Sequence, residues 1–230
     1  MSTRLGKETK PPFYNNLSFY AGDDPQNVKL NRSNFFSSLG IEQDCLAIPQ
    51  QIHSDNIQIA NEPGFYRDTD ALITSQKNLF LSVSTADCFP VIIYDKVNES
   101  AANIHSGWRG TQKAIVKKTI QKMSKKFKSN PADLLVWIGP GISKEHFEVG
   151  KEVAEMFNEK YIIEKEGKYY IDLLSVILNQ LYESGVKSNQ IETSGYCTYS
   201  ESEYLHSYRR DKAKSGRMFS IIGMKDSNTD

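Results

Sequence analysis

The stretch Leu79-Phe80-Leu81-Ser82-Val83-Ser84-Thr85-Ala86-Asp87-Cys88-Phe89-Pro90-Val91-Ile92-Ile93-Tyr94 decides the reading of this chain. Two short apolar runs, Leu79 to Val83 and Val91 to Tyr94, are parted by polar residues around Asp87, the pattern of strands with at least one buried face. Working outward, Leu46-Ala47-Ile48, Ile57-Gln58-Ile59, Ala71-Leu72-Ile73 and Ala101 to Ile104 repeat that pattern. The period then changes. Val116, Ile120, Met123 and Phe127 are spaced four, three and four apart, which predicts a helix from about Thr111 to Phe127. Its lysines, Lys113 through Lys128, read as a solvated outer face, because no aromatic residues interleave with them. Leu134 to Ile138 reads as a buried strand ended by Gly139-Pro140-Gly141. Helices are expected over Glu145 to Phe157 and Asp172 to Glu183, the second capped by Asp172. Short strands near Ile191 and Ser220 finish the chain. The first 35 residues are polar and loop-like, and a short helix near Val28 to Leu39 is closed by Gly40. Strands outnumber helices and the two are mixed, so the expectation is one mixed α/β domain with no dividing linker.

A chain of 230 residues can bury a sizeable core. Its 39% hydrophobic and 24% charged residues are those of a globular protein. Twenty-eight basic residues cancel 28 acidic ones, which argues against a general nucleic-acid or membrane-surface binder. The apolar run at Leu79 to Tyr94 is interrupted by Asp87 and falls short of the roughly 18 residues of a spanning helix. The N-terminus lacks the apolar run of a signal peptide. Cys45, Cys88 and Cys197 are odd in number, far apart and without a C-x-x-C, which suits a reducing, cytoplasmic setting rather than a disulfide framework.

Three segments place reactive side chains at the ends of apolar strands: Gln50-Gln51-Ile52-His53-Ser54, Ser84 to Pro90, and Ile104-His105-Ser106-Gly107-Trp108-Arg109-Gly110. A lone His at a strand end is more often a satisfied structural residue, and a lone Cys in an apolar segment a small buried hydrophobe. Separations of 35 and 17 residues among His53, Cys88 and His105 match no short metal motif. On spacing alone, a Cys/His site and three unrelated structural residues are both open. Asp87 adds weight to a site, because an unpaired carboxylate in an otherwise apolar segment is costly and so faces a polar cleft, as a proton-transfer group or as the partner of a ligand. Gly107 and Gly110 permit close backbone approach, while Arg109 and the start of the following helix favour an anion. Between Arg209 and Arg217, five basic residues stand against one acid and would suit either a phosphate or solvent.

In order, Thr3-Arg4-Leu5-Gly6, Gln51-Ile52-His53-Ser54, Thr69 to Thr74, Thr85-Ala86-Asp87-Cys88-Phe89-Pro90-Val91, His105-Ser106-Gly107-Trp108-Arg109-Gly110, Ile138 to Ile142, Phe147-Glu148-Val149-Gly150, Cys197-Thr198-Tyr199 and Ser207-Tyr208-Arg209-Arg210-Asp211 resemble the YfiH/YlmD family. That family is also labelled multicopper polyphenol oxidoreductase or laccase-domain-like, and is related to the human protein FAMIN. The Thr-Ala-Asp-Cys and His-x-Gly-Trp-Arg-Gly pair is the specific part. Two departures stand out: the chain starts almost at the Thr-x-Arg-x-Gly segment, as if shortened at its N-terminus, and Lys7 replaces the usual second glycine. Both bear on Arg4 as a substrate-holding residue.

The resemblance implies an α+β fold, a single mixed-sheet domain over residues 1–230 in α/β/β/α layers, similar to that of a bacterial toxin deamidase. It implies one zinc ion on His53, Cys88 and His105, three ligands that leave a fourth tetrahedral position for water or substrate. It further implies a purine nucleoside phosphorylase acting on adenosine, inosine, guanosine or methylthioadenosine with phosphate, and adenosine deaminase activity at the same site. Asp87 would shuttle a proton, and Arg109, Arg209 and the helix start after Gly110 would hold the phosphate. The partners are then a nucleoside and phosphate, with no nucleic acid or membrane, in a monomer or a homodimer. Three other readings stand beside it. One is a hydrolase with Cys88 as nucleophile and His105 as base, acting for example on amides of peptidoglycan precursors. Another is a non-enzymatic, metal-stabilised binding module. Copper-dependent phenol oxidation is the least suited, since multicopper sites use about ten histidines and this chain has four.

Overall fold

The computed structural model describes residues 1–7 and 9–226. A six-stranded mixed sheet contains β2 (Ile57–Ile59), β4 (Ala71–Thr74), β6 (Phe89–Asp95), β7 (Ser100–Ser106), β8 (Leu134–Ile138) and β12 (Ile191–Thr193), in the spatial order β12-β8-β6-β7-β4-β2. A four-stranded sheet contains β1 (Leu46–Pro49), β3 (Gly64–Tyr66), β5 (Phe80–Thr85) and β13 (Met218–Gly223), in the order β13-β5-β1-β3. A small antiparallel sheet joins β9 (Glu148–Val149), β10 (Ile162–Lys165) and β11 (Lys168–Ile171). The helices are α1 (Pro25–Ser38), α2 (Trp108–Gln112), α3 (Ile115–Phe127), α4 (Lys151–Ala154), α5 (Leu173–Glu183) and α6 (Tyr208–Asp211).

The period of two along the strands sorts their side chains into layers. Ala71 and Ile73 of β4 join Val91, Ile93, Ala102 and Ile104 in one cluster, packed against Val116, Ile120 and Met123 of α3 and Ile177 and Leu181 of α5. Leu72, between them, points the other way and meets Ala47, Leu79 and Leu81. The opposite face of the four-stranded sheet, through Leu46, Phe80 and Phe219, is covered by Phe36 of α1 and by Leu17. The order is therefore helix, sheet, sheet, helix pair, the expected α/β/β/α layering.

A buried amide ties the two large sheets together. Asn103 on β7 donates to the carbonyls of Leu81 and Ser220, both at 3.0 Å, and accepts the Ser220 hydroxyl at 2.9 Å. Asn103 and Ser220 are both fully buried, so these bonds replace solvation that neither group can recover. His105 lies two residues further along β7, on the same face, where the interlayer opens.

The expected strands and the α3 and α5 helices form, and Asp172 caps α5 by accepting from the Ser175 N–H at 2.9 Å. The lysine face is solvated and paired outward, Lys117 with Glu183 and Lys118 with Asp55. Two expectations are corrected. The helix placed over Glu145 to Phe157 is instead β9 followed by the one-turn α4. Gly150 interrupts it, and Phe147, Val149 and Val153 pack on the core while β9 pairs with β11. The helix placed from Thr111 starts at Trp108 and breaks at Ala114, whose φ is +61°. Gly110 thus sits inside α2, and the helix start expected just after it lies before it instead, at Trp108.

Asn103→Leu should leave the Leu81 and Ser220 groups without partners and lower unfolding stability by about 3 kcal/mol. Urea denaturation followed by circular dichroism measures this, and an unchanged midpoint would refute the tie.

Candidate metal centre and cleft

The sheet register brings the reactive residues together. Cys88 lies in the turn between β5 and β6, and β6 pairs with β7 so that Pro90 faces His105 and Phe89 faces Ser106. On the other side of β7, Ala71 pairs with Ile104, and the His105 N–H donates to the Asp70 carbonyl at 2.7 Å. Asp70, His105 and Cys88 therefore occupy neighbouring positions at one end of three adjacent strands.

His53 arrives from the loop after β1, and the Asp70 carboxylate captures that loop. Asp70, with no exposed surface, accepts from the backbone N–H groups of Ile52 at 3.3 Å, His53 at 3.0 Å and Ser54 at 2.6 Å. It also accepts the Ser54 hydroxyl at 2.7 Å and pairs with His105 Nδ1 at 2.8 Å. His53 adopts φ +59°, a left-handed turn that these bonds hold in place.

The ligand atoms of His53, Cys88 and His105 lie within 4.8 Å of one another, and among the described residues no further His, Cys, Asp or Glu joins the group. The two imidazoles meet edge to face, with centroids 4.8 Å apart. Gly107 makes the convergence possible: a Cβ there would stand 3.0 Å from Cys88 Sγ and 3.2 Å from His53 Cδ2. With Nδ1 of His105 bound to Asp70, Nε2 is left to face the sulfur. One thiolate and two imidazoles suit a borderline-soft divalent cation, and a carboxylate behind a ligating histidine fixes its ring and raises its basicity. The donor set fits a metal.

Protonation in this cluster is coupled. Burial pushes the Cys88 thiol up, but the His105 and His53 rings outweigh it and hold the thiol down at about 6. Burial likewise pushes His105 down, and the Cys88 sulfur and Asp70 reverse this to about 9. Between those values the pair is a thiolate and an imidazolium.

The triad opens into a cleft of about 680 Å³ at the ends of β1, β5 and β7. Asp87, Arg109 and Arg209 line it. Asp87 is already occupied: Oδ1 accepts the Thr198 hydroxyl at 2.7 Å, and Oδ2 accepts the Arg209 N–H at 2.6 Å, capping α6. Arg109 lies over the Trp108 ring at 4.2 Å, while Arg209 lies over Phe147 at 5.5 Å and donates to the His146 carbonyl at 3.1 Å. Arg4 is elsewhere. It bonds the Ser202 carbonyl, pairs with Asp211 at 3.5 Å and lies over Tyr14, outside the cleft lining. His146 stacks on Tyr199, and His206 is buried beside Gly216, so neither approaches the triad.

Asp70 was not singled out from the sequence, although it stands directly before the apolar Ala71-Leu72-Ile73, the same signal that drew attention to Asp87. Arg32 and Arg217 also line the cleft. Arg32 lies in a polar helix that gives no such signal.

These features define a layered α+β domain with a three-donor metal centre in an arginine-rich cleft. The chain belongs to the family described as multi-copper polyphenol oxidoreductase laccase, whose model matches residues 1–225. It is 36% identical to a purine nucleoside phosphorylase of Bacteroides thetaiotaomicron, covering 90% of this chain and 83% of the relative. It is 33% identical to the purine nucleoside phosphorylase YfiH of Escherichia coli, covering 96% and 91%. The crystal structure of the hypothetical protein YfiH of Bacillus licheniformis matches with a TM-score of 0.92 at 32% identity, covering 97% of this chain and 91% of that one.

Asp70→Asn should weaken metal affinity about 10- to 100-fold while the protein stays folded; competition with a chromophoric chelator reads this, and wild-type affinity would refute the role of Asp70. Because the ligands must be a thiolate and neutral imidazoles, metal binding at pH 7.5 should release about one proton, from His105. Release should grow as the pH falls below about 6, where the Cys88 proton joins it. Calorimetry in buffers of different ionisation enthalpy measures the number, and no release at pH 7.5 would contradict the thiolate–imidazolium pair.

Proposed function

We propose that this chain is a zinc-dependent purine nucleoside phosphorylase, converting a purine nucleoside and phosphate to the free base and ribose 1-phosphate. The observation that carries this reading is the convergence of His53, Cys88 and His105 at the floor of an arginine-lined cleft large enough for a nucleoside. The relatives named as purine nucleoside phosphorylases support it.

His53, Cys88 and His105 through Nε2 would hold the cation, with Asp70 fixing the His105 tautomer and the His53 loop. When bound, zinc supplies a Lewis acid for negative charge developing in the reaction. Arg109 and Arg209 hold the phosphate. Each guanidinium is steadied against an aromatic face, that of Arg209 also by its Nη1 bond to the His146 carbonyl, which leaves the remaining N–H groups for bonds to phosphate oxygen. Asp87 acts as a positioning residue, binding the Arg209 backbone and so setting the start of α6. Phosphate oxygen forms a bond to C1′ while the C1′–N9 bond breaks, and the purine leaves with the bonding pair and takes up the proton that phosphate gives up, so that neutral base and ribose 1-phosphate result. Holding phosphate against C1′ turns a bimolecular encounter into a local one. No helix among the described residues is long and apolar enough to cross a membrane. With Cys45, Cys88 and Cys197 all free, a reducing cytoplasm is the setting we assign.

One observation favours a second reading. The Asp70–His105–Cys88 arrangement is also that of a thiol nucleophile, its base and the group orienting the base, as a cysteine hydrolase would use. Zinc dependence separates the two, since activity lost to a chelator and restored by zinc belongs to the first.

Metal-quantified protein incubated with adenosine, inosine and methylthioadenosine should release free base only when phosphate is present. Chromatography that shows no base, or shows inosine formed from adenosine without phosphate as the main product, would contradict phosphorolysis. Arg109→Ala should raise the apparent KM for phosphate about 10- to 100-fold, the loss of a charge-assisted hydrogen bond. An unchanged KM would remove Arg109 from this role.

A further inference from the structure

Four guanidinium groups line the cleft, and two of them, Arg32 and Arg217, have no ligand in the reaction above. Both line the same cleft and both are tied to Leu17. The Leu17 carbonyl accepts Arg32 Nε at 2.7 Å, and the Leu17 N–H donates to the Arg217 carbonyl at 3.1 Å. Arg32 is only 8% exposed, and its guanidinium lies 4.5 Å from the Phe19 ring centroid and 5.0 Å from that of Phe219. Arg217 donates Nη1 to the Ser215 and Gly216 carbonyls and lies over the Tyr208 ring at 5.4 Å. Neither forms an ion pair among the described residues. Burial lowers the pKa of Arg32 to about 10. Asp87, the one acidic residue lining the cleft, already accepts from Thr198 and Arg209.

A guanidinium withdrawn from water without a counter-ion is destabilising, and one oriented by backbone carbonyls and aromatic faces is prepared for bidentate recognition of a phosphoryl group. Charge in the cleft points the same way. The four guanidiniums outweigh the single Asp87 carboxylate, so a phosphate dianion between Arg109 and Arg209 still leaves the cleft positive, and glycosidic cleavage builds further positive charge on the ribose. Excess positive charge opposes that development, whereas an anion at Arg32 and Arg217 relieves the opposition.

We propose that Arg32 and Arg217 form a second anion subsite that takes a phosphoryl group carried by the substrate itself, so that the cleft binds nucleoside 5′-monophosphates as well as nucleosides. This rests on the reading of the cleft as a purine nucleoside site. Free phosphate shares the same chemistry, so the test separates the two sources.

Calorimetric titration of the zinc-loaded protein with adenosine and with adenosine 5′-monophosphate should show the nucleotide binding about tenfold or more tightly, the equivalent of one retained charge-assisted contact. Arg32→Met and Arg217→Met should each move the ratio of the two affinities toward one. Arg32→Lys, which keeps the charge but loses the fork, should give an intermediate ratio. Thermal unfolding confirms that each variant is folded, and Arg217→Gln replaces any that is not. Saturating inorganic phosphate should leave nucleotide binding intact, since it fills the Arg109 and Arg209 site. The proposal is overturned if the nucleotide binds no more tightly than adenosine, if the ratio is unchanged in the folded variants, or if phosphate displaces the nucleotide. An intact tenfold ratio in a protein that splits no nucleoside would discard the activity and keep the subsite.

Discussion

The functional end of this molecule is organised around one carboxylate. Asp70 is fully buried and accepts from three successive backbone N–H groups, one hydroxyl and one imidazole. Burial alone would raise its pKa, but His105 and Ser54 outweigh this and hold it below the usual carboxylate range. A depressed carboxylate gives stability above its ordinary pKa, stability that is lost as the pH falls through the lowered one, so the tie is intact at neutral pH. Through that single charge, a loop with no regular structure is fixed to the end of β4, and the two histidines are set relative to each other. The proton on His105 and a divalent cation then compete for the same nitrogen, which couples occupancy of the centre to pH.

The strands were legible as short apolar runs, and α3 through the helical period of Val116, Ile120 and Met123. In β4, Ala71, Leu72 and Ile73 are all apolar because both faces are buried, Ala71 and Ile73 against the helices and Leu72 against the second sheet, so the run marks a buried strand without marking which residue faces which layer. The segment from Glu145 to Phe157 misled because Phe147, Val149, Val153 and Phe157 are apolar at spacings a helix tolerates. Pairing with β11 decided the outcome, and that pairing is long-range. The break at Ala114 is another tertiary effect. Thr111 is anchored from both sides, by the Ser106 hydroxyl and by the Gln180 side chain, and α2 ends one residue later, before the left-handed Ala114.

The site was legible in its ligands and not in its supports. His53, Cys88 and His105 were visible as reactive types at strand ends, but spacing could not show that they meet, because β6–β7 pairing and the Asp70 loop bring them together. Arg4, which the resemblance brings forward, binds the N-terminal segment to Ser202 and Asp211 and lies outside the cleft lining. Arg32 was invisible because its burial depends on Phe19 and Phe219, which are distant in sequence from each other. The family's descriptive name refers to copper, yet the described residues offer one group of three donors rather than the several a multicopper centre uses. That donor set, one sulfur and two imidazoles, is the chemistry of a single borderline-soft cation.

X-ray absorption at the metal edge, on protein purified without added metal and quantified by mass spectrometry, reads the donor set itself. It should show one zinc ion per chain, with one sulfur and two imidazole nitrogens from the protein and a lighter, exchangeable fourth scatterer. A shell without sulfur, a second protein sulfur, or protein that holds no ion on exposure to zinc would contradict the three-donor centre.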